Sequence, residues 1–130
     1  NKPIGRHPKI RTKQAVTHNG KEAITRFSVL ESLEGYSLLR VNLETGRTHQ
    51  IRVHLSHIGY PIVGDPVYGN RSKFSPGSNE AFKKVISSFK RQALHAEEIE
   101  LIHPSSKQLI SFKASMPSDM QTLLDDIKNR

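Results

Sequence analysis

Residues 43–54, with the sequence Leu-Glu-Thr-Gly-Arg-Thr-His-Gln-Ile-Arg-Val-His, constrain the fold of this chain more than any other stretch. An apolar strand pattern ends at Thr45 and Gly46, and an amphipathic helix pattern follows at once. The first helical turns carry two arginines, a histidine and a glutamine, which packing alone does not require. Such side chains at a helix N-terminus can hold phosphate oxygens, a carboxylate or a base edge. The stretch predicts a strand, a turn and a helix that together carry a polar site.

The helix in this stretch has clear boundary signals. Thr48 is the expected N-cap, and Gly59 follows the predicted last residue at about position 58. Arg52 lies three residues after His49, so both side chains can project to one side of the helix start. The opposite, buried face is predicted from apolar residues at i, i+4 and i+7, which are Ile51, Leu55 and Ile58.

The rest of the chain predicts an α+β fold with a mainly antiparallel sheet and flanking helices. Asn19-Gly20 is typical of a two-residue hairpin turn, and strands are expected at 23–29 and 39–43. A basic surface loop is expected at 70–78 and a second hairpin at 98–112. Amphipathic helices are predicted at 81–89 and after a capping box formed by Ser118 and Gln121. We expect residues 1–130 to form one domain around one core.

The charge balance points to a polyanionic partner. The chain has 20 Lys and Arg against 12 Asp and Glu, a formal net charge of +8. Nucleic acid is favoured over a membrane surface, since the basic residues are scattered and do not line one helix face. No apolar run or leader pattern suggests membrane insertion or export, so a cytoplasmic location is expected. The absence of cysteine excludes disulfides, thiolate metal sites and cysteine nucleophiles.

Several residues have both a functional and a structural interpretation. The polar helix start could be a clamp for a carboxylate or phosphate, or simply a solvated first turn. Asp65 could be a nucleophile or general base, but an Asx-turn between Gly64 and Pro66 is the favoured interpretation. Three nearby histidines are spaced five and three residues apart, which does not match a helical zinc site, so no metal is expected. They are His49, His54 and His57.

The motifs of this chain resemble those of the RluA family of pseudouridine synthases, most closely the branch that acts on large-subunit ribosomal RNA. The two most specific are the stretch at 43–54 and Gly-Asp-Pro-Val-Tyr-Gly at 64–69. Further matches are Pro-Ile-Gly-Arg-His-Pro at 3–8, Arg-Thr-Lys-Gln-Ala-Val at 11–16, Gly-Lys-Glu-Ala-Ile-Thr at 20–25 and Arg-Gln-Ala-Leu-His-Ala at 91–96.

The resemblance implies part of the pseudouridine synthase fold and isomerisation of uridine to pseudouridine without a cofactor. The family's nucleophilic aspartate attacks a flipped nucleotide, and Arg52 corresponds to the arginine that pairs with this aspartate. Contacts to RNA are expected from the exposed basic and polar residues of the matched motifs and the basic loops. They are Arg6, Arg11, Lys13, Arg47, Thr48, His49, Gln50, Arg71 and Lys73.

This sequence departs from the family pattern because the segment with the nucleophilic aspartate does not occur in it. Residues 1–130 are therefore expected to be the C-terminal part of a catalytic domain, partnered by its missing N-terminal part and inactive alone. Two alternatives remain at this point. One is an RNA-binding module without chemistry of its own, and the other is a small metal-dependent hydrolase, which the histidine spacing disfavours.

Overall fold

The computed structural model describes residues 1–10, 12–33, 35–69, 80–102 and 104–129. Within these ranges the chain forms small antiparallel sheets and flanking helices, which confirms the α+β class. The strands are β1 (Ile4–Arg6), β2 (Gln14–Val16), β3 (Thr25–Leu33), β4 (Tyr36–Leu43), β5 (Glu98–Ile102) and β6 (Leu109–Lys113). The helices are α1 (Gln50–His57), α2 (Glu80–Ser88) and α3 (Ser118–Lys128).

The strands pair in sequence order, β1 with β2, β3 with β4 and β5 with β6. Both long hairpins agree with the predicted alternation, and β3 has an irregularity between Val29 and Glu31. The predicted hairpin at Asn19-Gly20 is wrong. The Gly20 N–H closes a turn on the Thr17 carbonyl, and the chain then returns to β1 through an isolated bridge between Ile4 and Lys21.

Two helix starts differ from the predicted ones. The N-cap of α1 is His49 instead of Thr48, and its backbone has a left-handed φ of 55°. The N-cap of α3 is Pro117, and no side chain caps this helix, so the predicted capping box of Ser118 and Gln121 is wrong. The apolar face of α3 is buried through Leu123 and Ile127. The buried face predicted for α1 is only partly right, because Leu55 is buried but Ile58 is 48% exposed, and Val53 provides the core contact instead.

The buried apolar residues form two clusters, where one core was expected. The first joins β1 to α1 and contains Ile4, Ala23, Val53 and Tyr68. The second joins α2 to α3 and contains Phe82, Leu123 and Ile127. Within the described ranges, no helix has both the length and the apolar character needed to cross a bilayer.

Gly64 connects the second cluster to the loop that follows α1. Its φ is +78°, and a Cβ there would overlap the Arg91 carbonyl oxygen and lie 2.8 Å from Phe89 Cδ1. Beside it, the Ala93 N–H donates to the Val63 carbonyl at 2.8 Å. Residues 89–93 therefore pack against this loop and fix the backbone that leads into Asp65.

Candidate functional site

The centre of the site is a buried ion pair between α1 and the loop after it. Arg52 Nε donates to Asp65 Oδ2 at 2.9 Å, and Arg52 Nη2 donates to Asp65 Oδ1 at 2.8 Å. The Arg52 side chain is 11% exposed and that of Asp65 is fully buried. A guanidinium has five N–H donors, so this pair leaves three of them without a partner among the described residues. Arg52 is thus held rigidly while part of its binding capacity remains unused.

Asp65 is an anchor in this structure. Its Oδ1 also accepts the backbone N–H groups of Val67 at 3.0 Å and Tyr68 at 3.1 Å, which is the predicted Asx-turn. Burial disfavours the carboxylate, but the bonds from Arg52, Tyr68 and Val67 outweigh burial and hold the pKa of Asp65 below its ordinary value. A fully buried carboxylate held by four hydrogen bonds fits an Asx-turn and an ion pair, which favours the structural interpretation of Asp65 over a nucleophile.

Tyr68 lies beside this pair and connects three segments. Its hydroxyl accepts the Gln14 N–H at 2.9 Å and lies 2.7 Å from His49 Nδ1. The Arg52 guanidinium carbon is 5.0 Å from the centre of its ring, and Lys13 Nζ is 5.3 Å from the same centre. The ring of this buried tyrosine therefore contacts both cations of the site.

His49 stands at the start of α1 in a left-handed backbone conformation that residues other than glycine rarely adopt. Its ring contacts that of Tyr68 edge to face, with 5.5 Å between the centroids. Burial and the nearby charge of Arg52 lower the pKa of His49, and Asp65 only partly offsets them. His49 is therefore a neutral imidazole near pH 7, able to donate one hydrogen bond and accept another.

The first basic loop reaches this site, as the RNA-binding interpretation requires. His7 Nδ1 accepts the N–H groups of Lys9 and Ile10, each at 3.1 Å, and the His7 N–H donates to the Lys13 carbonyl at 2.9 Å. This internal bonding folds the loop so that Lys13 lies over Tyr68. Lys13 has no ion-pair partner in the described part of the chain.

Gln50 does not fit the RNA contact predicted for it. The residue is 3% exposed, and its Nε2 donates to the Ile24 carbonyl and to Thr25 Oγ1. Its Oε1 accepts from Thr45 Oγ1 at 2.6 Å and from the Arg47 N–H at 3.0 Å. All four bonding positions of the amide are used, so Gln50 ties the start of α1 to β3 and to the turn before the helix.

The candidate metal histidine His54 belongs to the same internal network. Its Nδ1 is 2.7 Å from Thr25 Oγ1, and its Nε2 is 2.8 Å from the Lys2 carbonyl oxygen. The carbonyl can only accept, so Nε2 carries the hydrogen and Nδ1 accepts from the threonine. Across the described residues, no group of His, Asp and Glu side chains is placed to hold a metal ion.

The other predicted RNA contacts divide into two groups. Arg6, Arg47 and Thr48 lie exposed, and Arg47 Nε donates to the Glu22 carbonyl at 2.8 Å, which directs its side chain along the turn. Arg11, Arg71 and Lys73 lie outside the described residues, as does the loop predicted at 70–78. Lys13, His49 and Arg52 are therefore the predicted site residues that the structure brings together.

Comparison with known proteins shows which enzymes this chain is similar to. The family model for RNA pseudouridylate synthase matches residues 1–57, which include β1 to β4 and α1. The ribosomal large subunit pseudouridine synthase D of Haemophilus ducreyi is 48% identical over 126 residues, 97% of this chain. Over nearly its whole length the chain is similar to RNA pseudouridylate synthases. Synthases of the same name from Pseudomonas aeruginosa and Nitrosomonas europaea are 48% and 50% identical over 94% and 98% of the chain.

The relatives in this synthase family are much longer than this chain. It covers 39% of the Haemophilus ducreyi protein, 38% of the Pseudomonas aeruginosa protein and 36% of the Nitrosomonas europaea protein.

Sequence reasoning did not predict that Asp65 pairs with Arg52, and it gave no role to Tyr68. Both residues belong to the Gly-Asp-Pro-Val-Tyr-Gly motif at 64–69, whose specificity is the signal that could have indicated them.

Proposed function

We propose that this chain supplies the arginine side of the active site of a pseudouridine synthase that acts on large-subunit ribosomal RNA. The attacking aspartate comes from the rest of the catalytic domain, which precedes this part in the family, and no cofactor takes part. The observation that carries the proposal is Arg52, fixed by Asp65 with unused donors. The family match and the names of the relatives support the choice of reaction and substrate.

The geometry gives Arg52 a defined chemical task. Asp65 occupies Nε and one hydrogen of Nη2, so the guanidinium can still bond a second carboxylate through its remaining hydrogens. Such a bond keeps an attacking carboxylate ionised by lowering its pKa, and it restricts the rotamer from which the carboxylate attacks. Because the guanidinium is already fixed, it does not have to reorganise when the nucleophile binds beside it.

RNA binding follows from the charge around this centre. Lys13 adds a positive charge beside the balanced charges of Arg52 and Asp65, and His49 is neutral, which leaves the cluster with excess positive charge. Arg6 and Arg47 extend this charge over the exposed surface. Phosphate contacts from such residues supply affinity that does not depend on base sequence and that falls with salt.

The described surface also supports a missing part of the domain. Along β3 and β4, the face with Phe27 and Val29 is apolar, although these residues are 49% and 55% exposed. Along β5 and β6, Ile99 and Phe112 pair across the hairpin and are 54% and 57% exposed. Apolar sheet faces of this kind are normally covered in a complete domain.

The proposal is tested by separating binding from chemistry. We expect Lys13→Ala to weaken binding of a large-subunit ribosomal RNA fragment about three-fold or more in fluorescence anisotropy, with a smaller dependence on salt. Removing the charges of the pair, as Arg52→Gln with Asp65→Asn, is expected to change affinity less than about two-fold, because Arg52 serves the reaction and not the grip on phosphate.

The alternative function, an RNA-binding module without chemistry, makes the opposite prediction. In that case the Arg52→Gln, Asp65→Asn variant loses as much affinity for RNA as Lys13→Ala, and the synthase proposal fails. The double substitution is preferred to Arg52→Ala because it leaves no unpaired charge in the interior. Circular dichroism of each variant establishes that the fold is retained.

A further inference from the structure

The function proposed above assigns no role to Tyr68, although this residue contacts more parts of the site than any other described side chain. It is 8% exposed and belongs to the first core cluster through its ring. Its hydroxyl reaches both the end of the first basic loop at Gln14 and the helix start at His49. A tyrosine needed only for packing would not require a hydroxyl that joins two separate elements.

One of these hydrogen bonds has a fixed direction, and the other follows from the acceptors available. The Gln14 backbone N–H can only donate, so the Tyr68 oxygen accepts from it. Among the described residues, His49 Nδ1 at 2.7 Å is the acceptor available to the Tyr68 hydroxyl hydrogen, so we assign the hydroxyl as donor and Nδ1 as acceptor. In the neutral ring the remaining hydrogen therefore lies on Nε2, which has no partner among the described residues.

The ring of Tyr68 makes a second set of contacts. The guanidinium of Arg52, which is bonded to Asp65, lies over this ring, and the ammonium of Lys13 lies over it as well. The backbone of Tyr68 is itself fixed, because its N–H donates to Asp65 Oδ1 and its carbonyl accepts from Ser56 Oγ at 3.0 Å. The tyrosine is thus held at both ends and cannot turn independently of the ion pair.

We propose that Tyr68 is a positioning residue that couples the basic loop to Arg52 and presents His49 to RNA in one tautomer, with Nε2–H as the donor. The role in RNA contact rests on the proposed function, whereas the control of His49 is a property of the chain itself. The RNA group that meets Nε2–H is an acceptor, such as a phosphate or ribose oxygen.

The first test measures His49 in the free chain by nitrogen-15 NMR of the imidazole. In the native chain we expect the Nε2–H tautomer and a pKa below 6.5, the direction that burial and Arg52 impose. Tyr68→Phe keeps the ring but removes the donor to Nδ1, so we expect mixed tautomers and a pKa that moves upward. Ser56→Ala is the matched control, since it also removes one hydrogen bond to Tyr68, and it is expected to leave His49 unchanged.

The second test measures binding to the same RNA fragment. We expect Tyr68→Phe to weaken binding about five-fold, as loss of one hydrogen bond that orders a binding loop would, and Ser56→Ala to weaken it less than about two-fold. An unchanged His49 tautomer and pKa in Tyr68→Phe would overturn the inference, and so would equal effects of both variants. If the native chain binds no RNA, the proposed function fails, and the NMR result alone decides whether Tyr68 controls His49.

Discussion

At the residue scale, the site depends on the pairing of Arg52 with Asp65. Burying both charges is costly, and the pair is tolerable because Arg52 donates to both carboxylate oxygens and the Val67 and Tyr68 N–H groups donate to Oδ1. Sequence reasoning predicted Arg52, through the family resemblance, as the arginine that pairs with the nucleophilic aspartate, and it favoured an Asx-turn for Asp65. It placed the acidic partner of Arg52 outside this chain and missed the internal one, because contact between a helix and a loop depends on a tertiary crossing that spacing does not encode.

Replacing one member of this pair is expected to be costly. We predict that Asp65→Asn lowers the free energy of unfolding by about 3 kcal/mol, since it leaves the Arg52 charge buried without a counter-charge. Urea denaturation measures the loss. Asp119→Asn is the control, because Asp119 also forms a two-bond pair with an arginine, Arg91, but at the surface. A loss in Asp65→Asn no larger than in the control would contradict the buried role.

The same pair predicts a dependence of stability on pH. The folded pKa of Asp65 lies below its ordinary value of 3.8, so the unfolded chain takes up this proton first as the pH falls. The contribution of Asp65 is therefore complete above about pH 4 and is lost below it, as the pH passes through the folded pKa. Urea midpoints measured against pH should fall more steeply there in the native chain than in Asp65→Asn. Parallel curves would show that Asp65 is not held by this pair.

At the element scale, the strand, turn and helix of residues 43–54 form as the sequence predicts, but the start of the helix is capped and bonded differently. Gly59 follows the end of α1 with a positive φ, as expected, but of the predicted apolar face only Leu55 is buried, beside Val53. The cap at His49 and the burial of Gln50 were not predictable. Both result from bonds to distant partners, Tyr68 for the histidine and Ile24 for the glutamine.

The amide of Gln50 gives a direct test of this connection. We expect Gln50→Ala to destabilise the chain by about 3 kcal/mol, because the Arg47 N–H and the Thr45 hydroxyl lose their acceptor and the Ile24 carbonyl loses one of its two donors. Gln121→Ala removes a glutamine of α3 that bonds exposed Asp125, and it should cost far less. Thermal denaturation compares the two. Equal melting temperatures would mean that the amide network does not hold the helix start.

Gly64 packs against residues 89–91, and its replacement tests the support of the Asp65 loop. We predict that Gly64→Ala costs more than about 2 kcal/mol, since the residue has a positive φ and its Cβ would overlap the Arg91 carbonyl. Gly46→Ala is the control, because a Cβ there meets nothing within 4 Å. Chemical denaturation of both variants gives the comparison. A tolerated Gly64→Ala would mean that residues 89–93 do not support the site.

At the scale of the whole molecule, the described structure consists of two small clusters and two hairpins with exposed apolar faces. One core was expected from chain length, but within the described ranges the strands pair only with their neighbours in sequence and the buried apolar residues form two clusters. The class of fold and the similarity to RNA pseudouridylate synthases could be predicted from motifs, and the excess of positive charge follows from composition. The exposed faces could not, because alternation shows which residues share a face and not what covers it.

The central claim is that Arg52, held by Asp65, completes an active site whose nucleophile lies in the remainder of the catalytic domain. Its most direct test mixes this chain with the separately expressed preceding part of the Haemophilus ducreyi relative and measures tritium release from uridine-labelled large-subunit ribosomal RNA. We predict release only when both parts are present, and its loss with the Arg52→Gln, Asp65→Asn chain. Release by this chain alone, or undiminished release with the substituted chain, would contradict the account.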